Sequence, residues 1–377
     1  MQKTKQSSEL YIGLMSGTSI DGIDAGLVDF SNHEIRVIAF HYQPFSAELR
    51  HKVHQLSQPD QAILLEDYGA MDSELGELFA EATLTLLAKA RMKASKIRAI
   101  GSHGQTIYHA PNGNRGFSLQ IGDPNRIAEI TGITTISDFR RRDIAVGGQG
   151  APLVPAFHQA AFSDPAHTTT ILNIGGIANI TILRNQKVFG FDTGPGNTLM
   201  DYWCQHSLDQ CYDTNGNWAS KGETNTELLT HLLDDVYFRQ APPKSTGKEY
   251  FSPAWLNRKI SPFMASKPED IQATLCQFSV ETISDAILEH AADSKHVLVC
   301  GGGIHNRQLI AMLQKRLPMP VISTADFGID PDHVEAIAFA WLAKQTTHRK
   351  PGNLCSVTGA KTPVVLGGIY PGRYGLG

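Results

Sequence analysis

The sequence predicts an α/β protein divided into two or three domains. Three observations carry that reading. At 377 residues the chain exceeds what one ordinary core fills. Short apolar runs alternate with amphipathic stretches from end to end, the pattern of strands interleaved with helices. And 34 Gly with 19 Pro, among 41% hydrophobic and 19% charged residues, describe a globular chain with many tight turns.

Taken in order, Leu10 to Met15 and Ile23 to Phe30 read as strands joined by a turn of Gly, Ser, Thr and Asp, with Ile35 to Tyr42 completing an opening meander. From Asp60 to Lys93 the pattern turns helical, because Leu64, Leu65, Tyr68, Met71, Leu75, Leu78 and Phe79 recur at three- and four-residue spacing. A short strand, Ile97 to Ser102, follows. Near Thr168 the same layout begins again: a strand ending at Ile174, the turn Gly175-Gly176, and a strand from Ile177 to Leu183. What repeats is the layout and not the letters, so the pattern suggests a duplicated fold. Toward the end, Ile271 to Ala292 predicts a helix, His296 to Cys300 a buried strand, and Asn306 to Arg316 and Val334 to Lys344 two more helices.

Composition excludes several classes of function. With 33 basic and 37 acidic residues the formal charge is -4, and no segment concentrates Lys and Arg enough to track a phosphate backbone, so nucleic acid is excluded as a partner. Cys204, Cys211, Cys276, Cys300 and Cys355 are scattered, with no C-x-x-C pair, which fits a reducing compartment. The opening MQKTKQSSEL runs into an apolar stretch, Tyr11 to Met15, that is too short for a signal-peptide core or a membrane span. A cytoplasmic protein without membrane contact is expected.

Three glycine-rich turns are the candidates for chemistry. Gly17, Thr18, Ser19, Ile20, Asp21, Gly22, Ile23 and Asp24 place small residues and hydroxyls where backbone could approach a phosphate, though an ordinary hairpin explains the turn about equally well. Asp21 and Asp24 look buried beside apolar strands, and that position calls for a partner or a metal. In the second turn a carboxylate, Asp192, is followed by Gly194, Gly196 and Asn197 and then by the helical stretch Thr198 to Gln205. This turn would offer backbone N–H groups to an anion, reinforced by the helix dipole, with Asp192 placed to take a proton from an attacking oxygen. An N-cap or Asx-turn is the competing use of that Asp. The third is Gly301-Gly302-Gly303 between a buried strand and a helix, where a flat ligand could lie against the backbone.

Two polar segments lie between these turns, GSHGQT from Gly101 to Thr106 and DFRRRD from Asp138 to Asp143. One or two of the adjacent arginines can bind an anion while the others pair with Asp138 or Asp143, although a solvated charge cluster is as consistent with the spacing. His103 reads as a core histidine.

Seven strings in one order carry a resemblance: GLMSGTSIDGID, GSHGQT, DFRRRD, GGQGAPLVP, NIGGIANI, FDTGPGN and CGGG. Together they resemble the anhydro-N-acetylmuramic acid kinase family over nearly the whole chain. The resemblance implies the sugar kinase, actin and Hsp70 superfamily: two ribonuclease H-like domains, 1–140 and 141–377, with a cleft between them and the nucleotide pocket in the second. It implies ATP and Mg2+ as cofactors and a homodimer acting on a small sugar, opening 1,6-anhydro-N-acetylmuramic acid and phosphorylating its O6. By the same resemblance the turn from Gly17 to Asp24 is the first phosphate loop. Gly175, Gly194, Gly196 and Asn197 lie by the transferred phosphate, and Gly301, Gly302 and Gly303 line the adenosine pocket. Asp192 becomes the catalytic base and a substrate contact, beside Gln105, Thr106, Arg140 and Glu335, with Asp21 and Asp24 reaching magnesium through water. The rival reading is a nucleotide-driven conformational switch with no small substrate, for which GSHGQT and DFRRRD would have no purpose.

Overall fold

The computed structural model describes residues 9–58, 62–112, 115–242 and 244–375. The start of the predicted helix at Asp60 and most of the polar N-terminal segment lie outside the described residues. The chain divides into two units, residues 1–157 with 333–377, and residues 158–332. That division differs from the expected boundary at 140/141. The last stretch of chain, from the helix Val334–Thr347 onward, packs with the first unit, and sequence order alone carries no sign of such a return.

The first unit is built on a mixed sheet. β1 (Leu10–Ser16), β2 (Gly22–Asp29) and β3 (Arg36–Pro44) form an antiparallel meander, as the alternation predicts. β4 (Ala99–Ala110) then pairs parallel with β1, β5 (Phe117–Ile121) folds back on β4, and β6 (Thr135–Ser137) lies parallel to β4 on its other side. The helix Leu65–Lys89 supplies Met71, Leu75, Phe79 and Leu86 to the core on one face of this sheet. The predicted strand at Ile97 to Ser102 is longer than expected, running through GSHGQT to Ala110. Pairing with β5 explains this, because it supplies ladder partners from Gln105 to Ala110, and Gly104 absorbs the irregularity at φ 73°.

In the second unit β7 (Thr168–Ile174), β8 (Ile177–Arg184) and β9 (Lys187–Pro195) again form an antiparallel meander, and β10 (Ser294–Cys300) and β11 (Val321–Ser323) extend it in parallel. The strand order β11-β10-β7-β8-β9 repeats the order β6-β4-β1-β2-β3 of the first unit. The duplication suggested by layout is therefore present in the topology, and each unit is a ribonuclease H-like sheet with its helices. The buried helix Pro268–His290 lends Ile271, Leu275, Phe278 and Ile283 to the second core. The remaining β12 (Gly368–Tyr370) pairs with β6 at the edge of the first sheet.

One close approach shapes the first unit. Gly13 in β1 and Gly101 in β4 are direct ladder partners, and the helix Val334–Thr347 lies across them. A methyl group on Gly13 would fall 1.8 Å from the Ala336 carbonyl oxygen, and one on Gly101 2.1 Å from that of Phe339. The helix backbone is thus seated on the sheet without side chains between them. Gly26, the partner of Gly13 in β2, is different, because a methyl there would meet only Phe40 at 3.7 Å and Ala336 Cβ at 3.8 Å. Gly13→Ala is therefore expected to destabilise by at least about 2 kcal/mol, lowering the melting temperature by roughly 5 °C, while Gly26→Ala stays within about 0.5 kcal/mol of wild type. Equal effects in thermal denaturation would refute the seating.

Candidate active site

In the first unit the turn from Gly17 to Asp21 connects β1 to β2. Ile20 closes it by donating its N–H to the Gly17 carbonyl at 3.1 Å, and does so at φ 55°. A β-branched residue in the left-handed region is an outlier, held here by burial of its side chain in the core. Ser16 fastens the base of the turn, donating to the Gly22 carbonyl at 2.8 Å and to Gln105 Oε1 at 2.7 Å. Thr18, Ser19 and Asp21 remain exposed at the tip, where the Ser19 hydroxyl donates to Asp21 Oδ1 at 2.7 Å. Asp21 is thus at the surface and not buried as the sequence suggested, and Asp24, in the ladder opposite Met15 and Tyr42, is half-buried.

Gln105 has no exposed surface. Besides accepting from Ser16, its amide donates to the Gly17 carbonyl at 3.2 Å and to that of Thr106 at 3.3 Å. Its polar atoms serve the first loop. Thr106 accepts a bond from Gln120 at 3.1 Å.

Arg140, just ahead of the short helix Arg141–Ala145, is held on three sides. Its Nε and Nη2 both donate to His103 Nε2, at 3.1 and 2.9 Å, and its Nη1 donates to the Gly150 carbonyl at 2.9 Å. His103 must then carry its proton on Nδ1, where it donates to the Gly104 carbonyl at 2.8 Å. Burial and the neighbouring guanidinium push the His103 pKa down to about 3, so the ring is a neutral acceptor. Burial lowers Arg140 itself to about 10, and the nearby Glu335 carboxylate opposes the shift. Glu335, in the first turn of the seated helix, is raised by burial against the pull of Arg140. Of the adjacent arginines, Arg141 pairs with Asp138 at 2.7 Å as anticipated. Asp143 pairs with no arginine among the described residues. Its buried carboxylate instead accepts from the Gly150 N–H at 2.8 Å, Asn353 at 2.7 Å and Thr358 at 2.8 Å, tying the glycine loop to the returning chain.

In the second unit the glycine turns meet at one end of the sheet. Gly196, Asn197 and Thr198 donate their N–H groups to the carbonyls of Gly175 and Gly176 at 2.8 to 3.1 Å, and the Ser279 hydroxyl donates to the Gly196 carbonyl at 2.8 Å. Those three amides are spent on lacing two turns together, so they are not open to an anion as the sequence suggested. Gly301, at φ 80°, and Gly303 are glycines because side chains there would strike Asn173 and Ile174. Gly302 is exposed and faces open space.

Asp192 sits in β9 opposite Asn179. A segment that sequence reasoning missed, residues 244–250, closes on it: the Thr246 N–H donates to Asp192 Oδ2 at 2.9 Å, the Asp192 N–H donates to the Lys244 carbonyl at 3.1 Å, and the Tyr237 hydroxyl donates to the Asp192 carbonyl at 2.5 Å. Burial pushes the Asp192 carboxyl up to about 6, the Thr246 amide holds it down, and the Glu249 charge adds to the rise. Lys248 lies over Gly176, with its Cε 2.5 Å from where a methyl on that glycine would be. Asp201, in the helix Thr198–Leu208, is pushed up to about 7 by burial, opposed by Lys248. The signal available in the sequence was Lys244-Ser245-Thr246-Gly247-Lys248, two cations around a hydroxyl- and glycine-bearing turn.

Among the described residues no group of three or more His, Cys, Asp or Glu side chains converges as a metal cage, and no helix is long and apolar enough to cross a membrane. Two units built on sheets of one strand order, with glycine turns gathered at strand ends, define a duplicated α/β fold, and the family it matches is one of kinases. The sequence profile described as "Anhydro-N-acetylmuramic acid kinase" matches residues 9–372, and the chain belongs to that family. The relative of that name from Pasteurella multocida (strain Pm70) is 48% identical over 370 residues, covering 97% of this chain and 98% of its own. The one from Coxiella burnetii (strain RSA 493 / Nine Mile phase I) is 49% identical over 370 residues, with the same coverage. Among solved structures, the activator of the 2-hydroxyisocaproyl-CoA dehydratase from Clostridium difficile with bound ADPNP superposes with a TM-score of 0.44 at 13% identity, covering 90% of this chain and 97% of that one. The chain is thus a kinase with a role in cell-wall recycling.

The charge state of His103 can be read from stability. Because its folded pKa lies below the unfolded value, a neutral His103 loses stability for the fold as pH drops below about 6.5. Relative to His103→Gln, which keeps an acceptor but does not titrate, wild type should lose about 1.4 kcal/mol per pH unit between pH 6 and 4 in urea denaturation. A flat difference would mean that His103 takes up a proton in the fold and is not the acceptor for Arg140.

Proposed function

We propose that this chain uses ATP and water to open the 1,6-anhydro bond of anhydro-N-acetylmuramic acid and to place the γ-phosphoryl group on O6, with Asp192 as the base. The observation that supports this reading best is the environment of Asp192. Its Oδ2 is fixed by the Thr246 amide and its pKa lies near 6, so at neutral pH it is ionised yet basic enough to accept a proton. Water attacks the anomeric carbon and gives its proton to Asp192, the C1–O6 bond breaks, and O6 takes the γ-phosphoryl group as ADP leaves. The transferred phosphoryl group takes the place of a general acid at O6. N-acetylmuramic acid 6-phosphate and ADP are the products.

The other residues take supporting roles. Thr18 and Ser19 at the exposed tip of the first loop, with Gly17 allowing close approach, suit nucleotide phosphates, whereas Gly22 is buried against Gln43 and Tyr42, and Gly302 gives the adenosine an open backbone to lie on. Arg140, oriented by His103 and Gly150, suits the lactyl carboxylate, with Glu335 and Thr106 as polar neighbours for the sugar. Gln105 serves the substrate through the first loop, since its own polar atoms are engaged. Magnesium, which neutralises phosphate charge, needs only one or two carboxylates beside phosphates and waters, and exposed Asp21 fits that demand, with half-buried Asp24 behind it. A cytoplasmic homodimer follows from the family resemblance.

ADP release with and without the anhydro sugar tests the reading. Asp192→Asn should lower sugar-dependent turnover by at least about a thousandfold. Wild-type kcat/KM should rise with pH and level off above about 6, because the base must be deprotonated. The product should be heavier than the anhydro sugar by one phosphoryl group (HPO3) and one water. Sugar-independent turnover would point to the conformational switch, and a phosphorylated product that kept its anhydro bond would remove Asp192 from the role of base.

A further inference from the structure

Asp235 lies outside the seven motif strings and outside the site residues named above. It is nevertheless the most heavily engaged carboxylate near Asp192. Oδ1 accepts from the Tyr237 N–H at 3.0 Å and from the Tyr250 hydroxyl at 2.7 Å, and Oδ2 accepts from the Trp255 indole N–H at 2.9 Å. Only 9% of the residue is exposed, and these bonds outweigh its burial to hold the carboxyl below its ordinary value. A buried carboxylate kept ionised by three donors is a rigid anchor, because each charge-assisted bond costs more to break than a neutral one.

What it anchors is the segment over Asp192. Tyr237 begins that segment and Tyr250 ends it, so one carboxylate fastens both flanks of the chain that carries Lys244, Thr246, Lys248 and Glu249. Tyr237 reaches Asp192 directly through its hydroxyl, and the Lys244 ammonium donates to the Tyr237 carbonyl at 3.2 Å while lying over its ring. Aromatic packing fills the space beneath, with Tyr237 against Phe238, Tyr250 and Phe251 at centroid distances of 5.5 to 6.0 Å. The amide that fixes Asp192 Oδ2 therefore depends on a loop whose two ends converge on Asp235.

We propose that Asp235 is a positioning residue for the phosphoryl transfer, a staple that holds the Thr246 amide on Asp192 through Tyr237 and Tyr250. The proposal rests on Asp192 being the base. The titratable groups that face Asp192 are Glu249 from the loop and Tyr237 from the turn before it, while the Thr246 N–H and the Lys244 carbonyl are its neutral backbone partners. Loosening the loop removes both the Thr246 amide, which lowers the Asp192 pKa, and the Glu249 charge, which raises it, so the titration of Asp192 is tied to the loop.

Tyr250→Phe removes one bond of the staple with little change of shape, and Asp235→Asn weakens all three. Both are compared with wild type by hydrogen exchange of residues 244–249, by the pH dependence of kcat/KM, and by kcat and KM for the sugar. Asp235→Asn is expected to speed exchange in that segment at least tenfold, to move the acid limb by about half a pH unit or more, and to lower kcat more than it raises KM, with Tyr250→Phe in the same direction but smaller. Unchanged exchange in both variants overturns the staple. Faster exchange with an unmoved acid limb overturns the link to Asp192. If Asp192→Asn in parallel keeps its turnover, the failure lies with the base assignment itself. Should Asp235→Asn not fold, Tyr250→Phe alone decides.

Discussion

The seating of one helix on two glycines is the constraint on which the first unit depends. With no side chain at Gly13 or Gly101, the backbone of Val334–Thr347 comes into contact with the sheet, and the first turn of that helix delivers Glu335 into the electrostatic reach of Arg140. A thicker interface would move that carboxylate outward along with its helix. The same stretch of chain continues to Asn353 and Thr358, which bond Asp143 and fix the loop whose Gly150 carbonyl accepts from Arg140. A guanidinium is thereby oriented by neutral acceptors, His103 and Gly150, while no carboxylate among the described residues forms a direct ion pair with it. An arginine paired tightly with a protein carboxylate would have its charge satisfied. One held by an imidazole nitrogen and a carbonyl keeps its charge available to an incoming anion.

The second unit solves a different electrostatic problem. The carboxylate proposed as the base has to be buried enough to be basic and bonded enough to stay ionised near neutrality. Burial alone raises the Asp192 pKa, and Glu249 adds to the rise, so an unassisted carboxylate there would lose its charge too early. One backbone amide, from Thr246, offsets part of that cost, and because it is a backbone group its position depends on how the loop is anchored and not on which side chain it bears. The amides of Gly196, Asn197 and Thr198, which look from the sequence like an anion cradle, instead bind the two glycine turns into one rigid piece. Lacing the glycine turns and holding the amide on Asp192 are separate tasks, given to separate segments.

How much of this was legible depended on how local the cause was. The meanders β1 to β3 and β7 to β9 could be read because alternation and glycine turns are short-range signals, and the helix ending near Lys89 because its apolar spacing is periodic. Asp192 and Arg140 stood out within compact strings of unusual composition. Asp21 was misjudged because a strand neighbour in sequence says nothing about exposure at a turn tip. GSHGQT was misjudged because its polar letters sit in a strand whose partners, β1 and β5, are supplied from elsewhere. His103 was a featureless core histidine until the fork of Arg140 closed on it. Asp235 and Thr246 were invisible for the same reason: one works through donors two, fifteen and twenty residues on in the chain, and the other through a backbone N–H that carries no letter at all.

The two sheets share one strand order, yet they place their acidic residues on different strands. In the first unit Asp24 sits on the second strand of the meander, paired with Tyr42 on the third. In the second unit the third strand carries Asp192, and its ladder partner on the second is Asn179. The connection between the first two strands differs as well: five residues with exposed hydroxyls and a strained Ile20 in one, two glycines laced to their neighbours in the other. A longer, hydroxyl-bearing turn suits phosphate oxygens that must be gripped and released, whereas a two-residue turn leaves a stiff floor beside which a carboxylate on the third strand can be held still. The same frame thus occurs twice, and the strand ends differ: an exposed, hydroxyl-bearing turn in one unit, a laced two-glycine turn beside a buried carboxylate in the other.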